Sequence, residues 1–166
     1  MSDHRVMIAL GSNLGNRLDN LKRAIAKLEG CGIRTEAKSR VWETKPWGVT
    51  DQPLFLNMCM AVRTELEPPA LLCLLKKIEA EIGRSAGKRW GPREIDIDII
   101  FFDALSFEAP QLTIPHPRMH ERGFVLRPLA EIAPDMTHPI LKKSVAALLA
   151  ELPASEMDGM VWISEI

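Results

Sequence analysis

The order of apolar segments predicts an α+β fold built on one antiparallel sheet. Three observations carry it. Short apolar or alternating runs follow one another as β-α-β-β-α-β between Val6 and Phe102. That is the order of a ferredoxin-like split βαβ sheet with both helices on one face. Capping, proline and glycine signals punctuate the two helical stretches. The last run, Ile95-Asp96-Ile97-Asp98-Ile99, alternates strictly between a β-branched apolar residue and aspartate, the period-two pattern of a strand with two unlike faces.

Val6 to Leu10 is a short apolar run ended by Gly11, which suits a buried strand. Gly11-Ser12-Asn13-Leu14-Gly15 turns the chain, and Asn16 is placed to cap a helix with Asp19 in its first turn. Leu18, Leu21, Ile25 and Leu28 then recur at helical spacing until Gly30. Ile33 to Glu43 reads as a second strand, followed by a loop holding Pro46, Gly48 and Pro53. Phe55 to Thr64 is a third strand, with Phe55, Asn57, Cys59 and Ala61 on one face. Pro68 and Pro69 open a second helix that Gly83 stops. Arg84 to Glu94 is a basic loop, and Ile95 to Phe102 is the fourth strand. Prolines punctuate the chain beyond. A short helix is expected after Glu121, another from Ser144 to Leu152 with Ser144 as its cap, and a last strand at Val161-Trp162-Ile163. No repeat or linker divides the chain, so residues 1–166 are expected to form a single domain with C-terminal helical and short-strand additions.

With 46% hydrophobic residues in 166, the chain can bury a sizeable core. A net charge of -1 and a pI near 6.4 argue against the basic footprint of a generic nucleic-acid binder. The cations are local, so a small anion is the expected partner. No run approaches the ~18 apolar residues that span a bilayer. Cys31, Cys59 and Cys73 lack metal-ligand spacing, and an odd count without a signal h-region points to a reducing cytoplasm.

Asp96 and Asp98 project from one face, about 7 Å apart along the strand. Such a pair repels itself unless something positive lies between, either divalent metal ions or the nearby Arg89 and Arg93. A bare DxD reads best as edge protection. Here the run from Gly83 to Arg93 brings four cations and three glycines against it. Arginine forks match phosphate oxygens, and carboxylates hold magnesium, so the pattern favours a metal-polyphosphate site. The Gly11–Arg17 run lacks the lysine of a phosphate loop and reads better as a tight strand-to-helix turn. His116, locked between two prolines and near two arginines, is a candidate phosphate donor, whereas His120 and His138 read as structural. Asn57 shares a sheet face with Phe55. With Phe124, it suggests a heterocycle bonded at its edge and stacked between rings.

Together these motifs resemble the 6-hydroxymethyl-7,8-dihydropterin pyrophosphokinase family. The resemblance runs from about Val6 to Asp135, through IALGSNLGNR, ETKPWGVTDQPLFLN, GR with KRWGPREIDIDII, and IPHPRMHERGFVLRPLAEIAPD. It implies a ferredoxin-like enzyme of folate biosynthesis that moves the terminal pyrophosphate of ATP, as one unit, to the pterin's hydroxymethyl oxygen and releases AMP. It further implies that Asp96 and Asp98 hold two magnesium ions with ATP. Arg84, Arg93 and Asp98 take catalytic roles, Asp98 lying where it receives the hydroxyl proton. Nucleotide contacts fall on Glu79, Arg84, Trp90, Arg93, Ile99, Thr113, His116 and Arg122. Pterin contacts fall on Thr44, Lys45, Trp47, Phe55, Asn57, Asp96 and Phe124. The implied partners are ATP and the pterin, with no nucleic acid or membrane, and a cytoplasmic monomer is expected. Ala86 stands where many members carry a basic residue, and Glu94 replaces a small hydroxyl residue. Two rival readings share part of the signature. A non-catalytic binding module has no need of the aspartate pair, and a metal-dependent nuclease has no use for a two-phenylalanine slot.

Overall fold

The computed structural model describes residues 2–83 and 92–166. Strand β1 (His4–Ser12) lies inside a six-stranded sheet and pairs antiparallel with β4 (Phe55–Thr64) and β5 (Asp96–Phe102). Helix α1 (Arg17–Gly30) begins at Asn16, whose side chain accepts from the Asp19 N–H as its sequence position predicts. Helix α2 (Pro68–Ile82) starts on its two prolines and stops at Gly83, which adopts a left-handed φ of 110°.

The expected strand from Ile33 to Glu43 is two strands, β2 (Arg34–Lys38) and β3 (Val41–Thr44), set end to end along β4. The break lies at Ser39 and Arg40. Ser39 donates its N–H to the Cys59 carbonyl and accepts the Cys59 N–H on its hydroxyl, so the kink leaves neither group unpaired. β3 thereby gains a free edge on which β8 (Val161–Ser164) pairs. The main path of the sheet runs β5-β1-β4-β3-β8. A hairpin of β6 (Phe107–Ala109) and β7 (Leu112–Ile114), unforeseen from sequence, follows β5.

Both faces of the sheet come from alternate residues of the same strands. Val6, Ile8, Leu10, Met58, Met60, Ile97 and Ile99 point to α1 and α2 and form the larger core with Leu21, Leu28, Leu71 and Leu75. Met7, Cys59, Ala61, Ile100 and Phe101 point the other way. There they meet α3 (Gly123–Ile132) and α4 (Val145–Glu151), the second capped by the Ser144 hydroxyl as predicted. The second face is therefore not wholly free, as the strand order suggested. The C-terminal helices cover part of it, and the site occupies the remainder. A bulge in β5 marks the division: Met7 faces Phe101 and Ile8 faces Ile99, so Ile100 is the extra residue. It keeps Asp96 and Asp98 on the site side while turning Phe102 into the opposite core. Among the described residues no helix is long and apolar enough to cross a membrane.

Candidate active site

The uncovered part of that face floors a cavity of about 340 Å³. Its floor follows from pairing register. Asp98 lies opposite Ala9, Asp96 opposite Gly11, and Gly11 opposite Asn57. Small residues on β1 keep the floor low. At Gly11 a methyl group fits only if Asn57 shifts, because a Cβ would fall 2.7 Å from Asn57 Oδ1.

One wall is cationic. Arg93 donates Nη1 to Asp96 Oδ1 at 3.2 Å, which partly offsets the repulsion between the two carboxylates. Arg122 sits at the start of α3, its guanidinium 4.8 Å from the Trp47 ring centroid and 5.5 Å from that of Phe124. Burial holds its pKa below the usual guanidinium range, Asp98 pulls the other way, and its buried Nε has no hydrogen-bond partner. A caged cation with an unfilled donor suits an anionic ligand. His116 completes the wall. Its N–H donates to the carbonyl of the bulged Ile100, and its Nδ1 accepts the Arg118 N–H at 3.1 Å. A backbone N–H can only donate, so the neutral ring carries its proton on Nε2. Burial, reinforced by Arg122 and Arg118, pushes its pKa down to about 4. His116 is thus a neutral donor at physiological pH.

The other wall is aromatic. Phe55, Trp47 and Phe124 line the cavity with Lys45 and Asn57. Asn57 is buried and donates Nδ2 to Thr44 Oγ1 at 2.7 Å, which orients its Oδ1 beside Gly11. An acceptor fixed in this way between rings can read the N–H edge of a planar heterocycle.

Of the residues singled out from sequence, Lys45, Trp47, Phe55, Asn57, Arg93, Asp96, Asp98, His116, Arg122 and Phe124 all line this cavity. Thr44 lies behind Asn57. Glu79 is buried under α2, where it accepts the Ile97 N–H and pairs with Lys76. The side chain of Ile99 belongs to the helix-side core, and Thr113 lies on β7 opposite Glu108. Arg84 and Trp90 lie outside the described residues. Sequence reasoning missed Lys76, which reaches the cavity from α2, and Arg118, 5.6 Å from the Trp47 centroid. Lys76 stands one helical turn before Glu79, a spacing that places both on one side of α2. The C-terminal segment was not foreseen as a support of the site. A Cβ on Gly123 would meet the Glu156 carbonyl at 2.5 Å, and one on Gly159 would meet Lys45 Cε at 3.0 Å.

The fold and the cavity define a class: a ferredoxin-like domain whose cleft joins a cationic, carboxylate-bearing wall to an aromatic slot. Comparison with known proteins narrows it. The family model for 7,8-dihydro-6-hydroxymethylpterin-pyrophosphokinase matches residues 7–134. The 2-amino-4-hydroxy-6-hydroxymethyldihydropteridine pyrophosphokinase of Bacillus subtilis is 50% identical over 75% of this chain and 75% of its own. Its Methylorubrum extorquens counterpart is 43% identical over 93% of this chain and 97% of its own. The mitochondrial folate synthesis bifunctional protein of Arabidopsis thaliana is 45% identical over 79% of this chain, which spans only 24% of that relative. Among solved structures, wild-type Plasmodium falciparum HPPK-DHPS with pteroate superposes with a TM-score of 0.74 at 16% identity. It covers 90% of this chain, which spans 42% of it, and the likeness is one of fold. The chain belongs to the 7,8-dihydro-6-hydroxymethylpterin-pyrophosphokinase family. The reaction of that family is pyrophosphate transfer to hydroxymethyldihydropterin in folate synthesis.

Proposed function

We propose that this chain, as a magnesium-dependent enzyme, transfers the terminal pyrophosphate of ATP to 6-hydroxymethyl-7,8-dihydropterin and releases AMP. The observation that carries the reading is one cavity in which two same-face carboxylates, flanked by Arg93 and Arg122, adjoin a slot of Phe55, Phe124 and Asn57. The donor set fits magnesium. Among the described residues no third His, Cys, Asp or Glu joins Asp96 and Asp98 in a metal-binding group. Magnesium suits one or two carboxylates with phosphate oxygens and retained waters. Two such ions, held by Asp96 and Asp98, would supply charge neutralisation along the triphosphate and polarise the phosphorus under attack.

The side chains do the remaining work. Asn57 accepts from the ring edge while Phe55 and Phe124 enclose its faces, aiming the hydroxymethyl group toward the aspartates. Asp98 receives the hydroxyl proton as the oxygen bonds to the β-phosphorus. The bond from that phosphorus to the oxygen of the α-phosphate breaks, and AMP leaves with the bond's electron pair. Arg93, Arg122 and the His116 Nε2–H hold phosphate oxygens through this charge shift, where alignment and neutralisation matter more than base strength. Arg84 as a further catalytic cation, and Glu79, Trp90, Ile99 and Thr113 toward the nucleotide, rest on the family resemblance. A monomer in a reducing cytoplasm suits three free cysteines.

Product identity tests the reading. Incubation with ATP, magnesium and the hydroxymethyl dihydropterin is expected to give AMP and the pterin diphosphate in equal amounts. ADP as the nucleotide product, or pterin binding without pyrophosphorylation, would overturn it.

A further inference from the structure

A second cavity, of about 610 Å³, lies between the single turn Met119–Glu121, the segment leading into α4, α4 itself and the turn Ala154–Met157. Among the described residues, Trp47 alone lines both cavities, and neither the aspartate pair nor Arg93 and Arg122 reach this one. Its apolar lining is Trp47, Leu141, Leu148, Leu152 and Pro153. Sites for small organic ligands run from about 300 to 1,000 Å³, so the space is ample.

The charge around it is unbalanced. Glu121, Glu151 and Glu156 set three carboxylates against Lys143. Lys143 is already committed, since its Nζ lies 2.9 and 3.0 Å from the two carboxylate oxygens of Glu151. Among the described residues, Glu121 has one ion-pair contact, with His120 Nε2 at 3.8 Å, and Glu156 accepts one N–H, from Gly123 at 3.4 Å. His120 keeps a buried Nδ1 with no hydrogen-bond partner. These carboxylates do not form a group that could hold a metal ion. A positive charge that complements them must therefore arrive on a body that also covers the apolar lining.

We propose that this cavity is a second ligand site, for a small organic cation with a flat apolar body, such as an aromatic amine. The ammonium group sits against Glu121 and Glu156, and the body packs on Trp47, Leu148 and Leu152. The site fills with ATP and pterin in place, and it does not depend on the reaction proposed above.

Tryptamine is the probe, and indole-3-propionate, with the same ring and the opposite charge, is its control. Each is titrated by NMR against the whole chain in the presence of saturating pterin, magnesium and a non-hydrolysable ATP analogue, so that the ring slot is closed to indoles. Tryptamine is expected to bind with a Kd of about 1 mM or tighter, and the control at least about tenfold more weakly. Cross-relaxation from the indole protons should reach the methyl groups of Leu141, Leu148 and Leu152, which locates the probe whether or not pterin binds. Glu121→Gln with Glu156→Gln should weaken tryptamine by at least about tenfold. Leu141→Arg, at a position 39% exposed, should abolish its binding and carries the test if the double variant does not fold. No binding below about 10 mM, equal affinity for the two indoles, or unchanged affinity in a folded Leu141→Arg variant overturns the second site. Contacts to Phe55 and Phe124 alone, lost once pterin is bound, would place the amine in the ring slot and overturn it as well.

Discussion

The two faces of this sheet are made by alternate residues of the same strands, yet one is a filled core and the other is partly a cavity. On the helix side, β1 contributes Val6, Ile8 and Leu10, and β4 contributes Met58 and Met60, all essentially inaccessible to water. On the opposite side β1 offers Met7, Ala9 and Gly11, a series that shrinks toward the site end. α3 packs where the series is large, and the cavity opens where it is small. Side-chain volume along one strand thus decides where the cavity opens. The helix side needs bulk for stability, and the site side trades bulk for charge and shape.

The sharpest way to break that contrast is at the aspartates. Asp98→Ala or Asp96→Ala is expected to cut AMP formation by at least about a thousandfold, beyond the loss of a single positioned donor. Thermal unfolding should change little, since relief of carboxylate repulsion is offset by the loss of a partner for Arg93 or Arg122. If both variants unfold, the pair is structural. Arg93→Ala should cost about 2.7–4 kcal/mol of transition-state stabilisation, read from kcat/KM, the scale of one positioned donor. A change below tenfold would contradict its role. On the opposite face the same assays should reverse. Leu75→Ala is expected to lower stability by about 2–5 kcal/mol in denaturant titrations while activity per folded molecule stays the same.

Two finer tests sharpen the contrast. Gly11→Ala forces Asn57 Oδ1 to move away from the new methyl group, so pterin affinity should fall by about tenfold while affinity for the ATP analogue is retained. Equal loss of both would mean that the floor has moved as a whole. His116, with its pKa depressed from 6.5 to about 4, binds its proton more weakly folded than unfolded. Its contribution to stability is therefore complete above about pH 6.5 and is lost as pH falls from there toward 4. His138 is depressed too, also by burial, so the comparison is with His116→Asn, in which the stability slope over that window should flatten. An unchanged slope would show that His116 is not the group responsible.

Much of this was legible in the chain because it rests on period and local chemistry. The IDIDI alternation placed both aspartates on the correct face, and Asn16, Ser144, the two prolines and Gly83 marked helix ends by their own bonding rules. What escaped depends on partners distant in sequence. Ile100 is a bulge inside a run of four apolar residues, so no change of polarity betrays the shift of register. The break at Ser39 is stabilised by Cys59, twenty residues away, and Asn13 looked like one member of a glycine-rich turn because its partners lie 39 to 80 residues downstream. Residue types point to the aspartate pair, the cations and the Phe55–Asn57 face, and the resemblance adds Lys45 and Trp47, whereas the C-terminal segment behind Gly123 and Lys45 carries no motif that would mark it.

On the proposed reading, Asp96 and Asp98 would seat metal between the polyphosphate and the ring. Manganese can replace magnesium and reports distance by relaxing nearby protons. With manganese, a non-hydrolysable ATP analogue and the pterin bound, the hydroxymethyl protons should relax much faster than in the magnesium complex, and Asp96→Asn with Asp98→Asn should abolish the effect. Equal enhancement in wild type and the double variant, with both ligands bound, would show that the metal is held without the two aspartates and contradict the account.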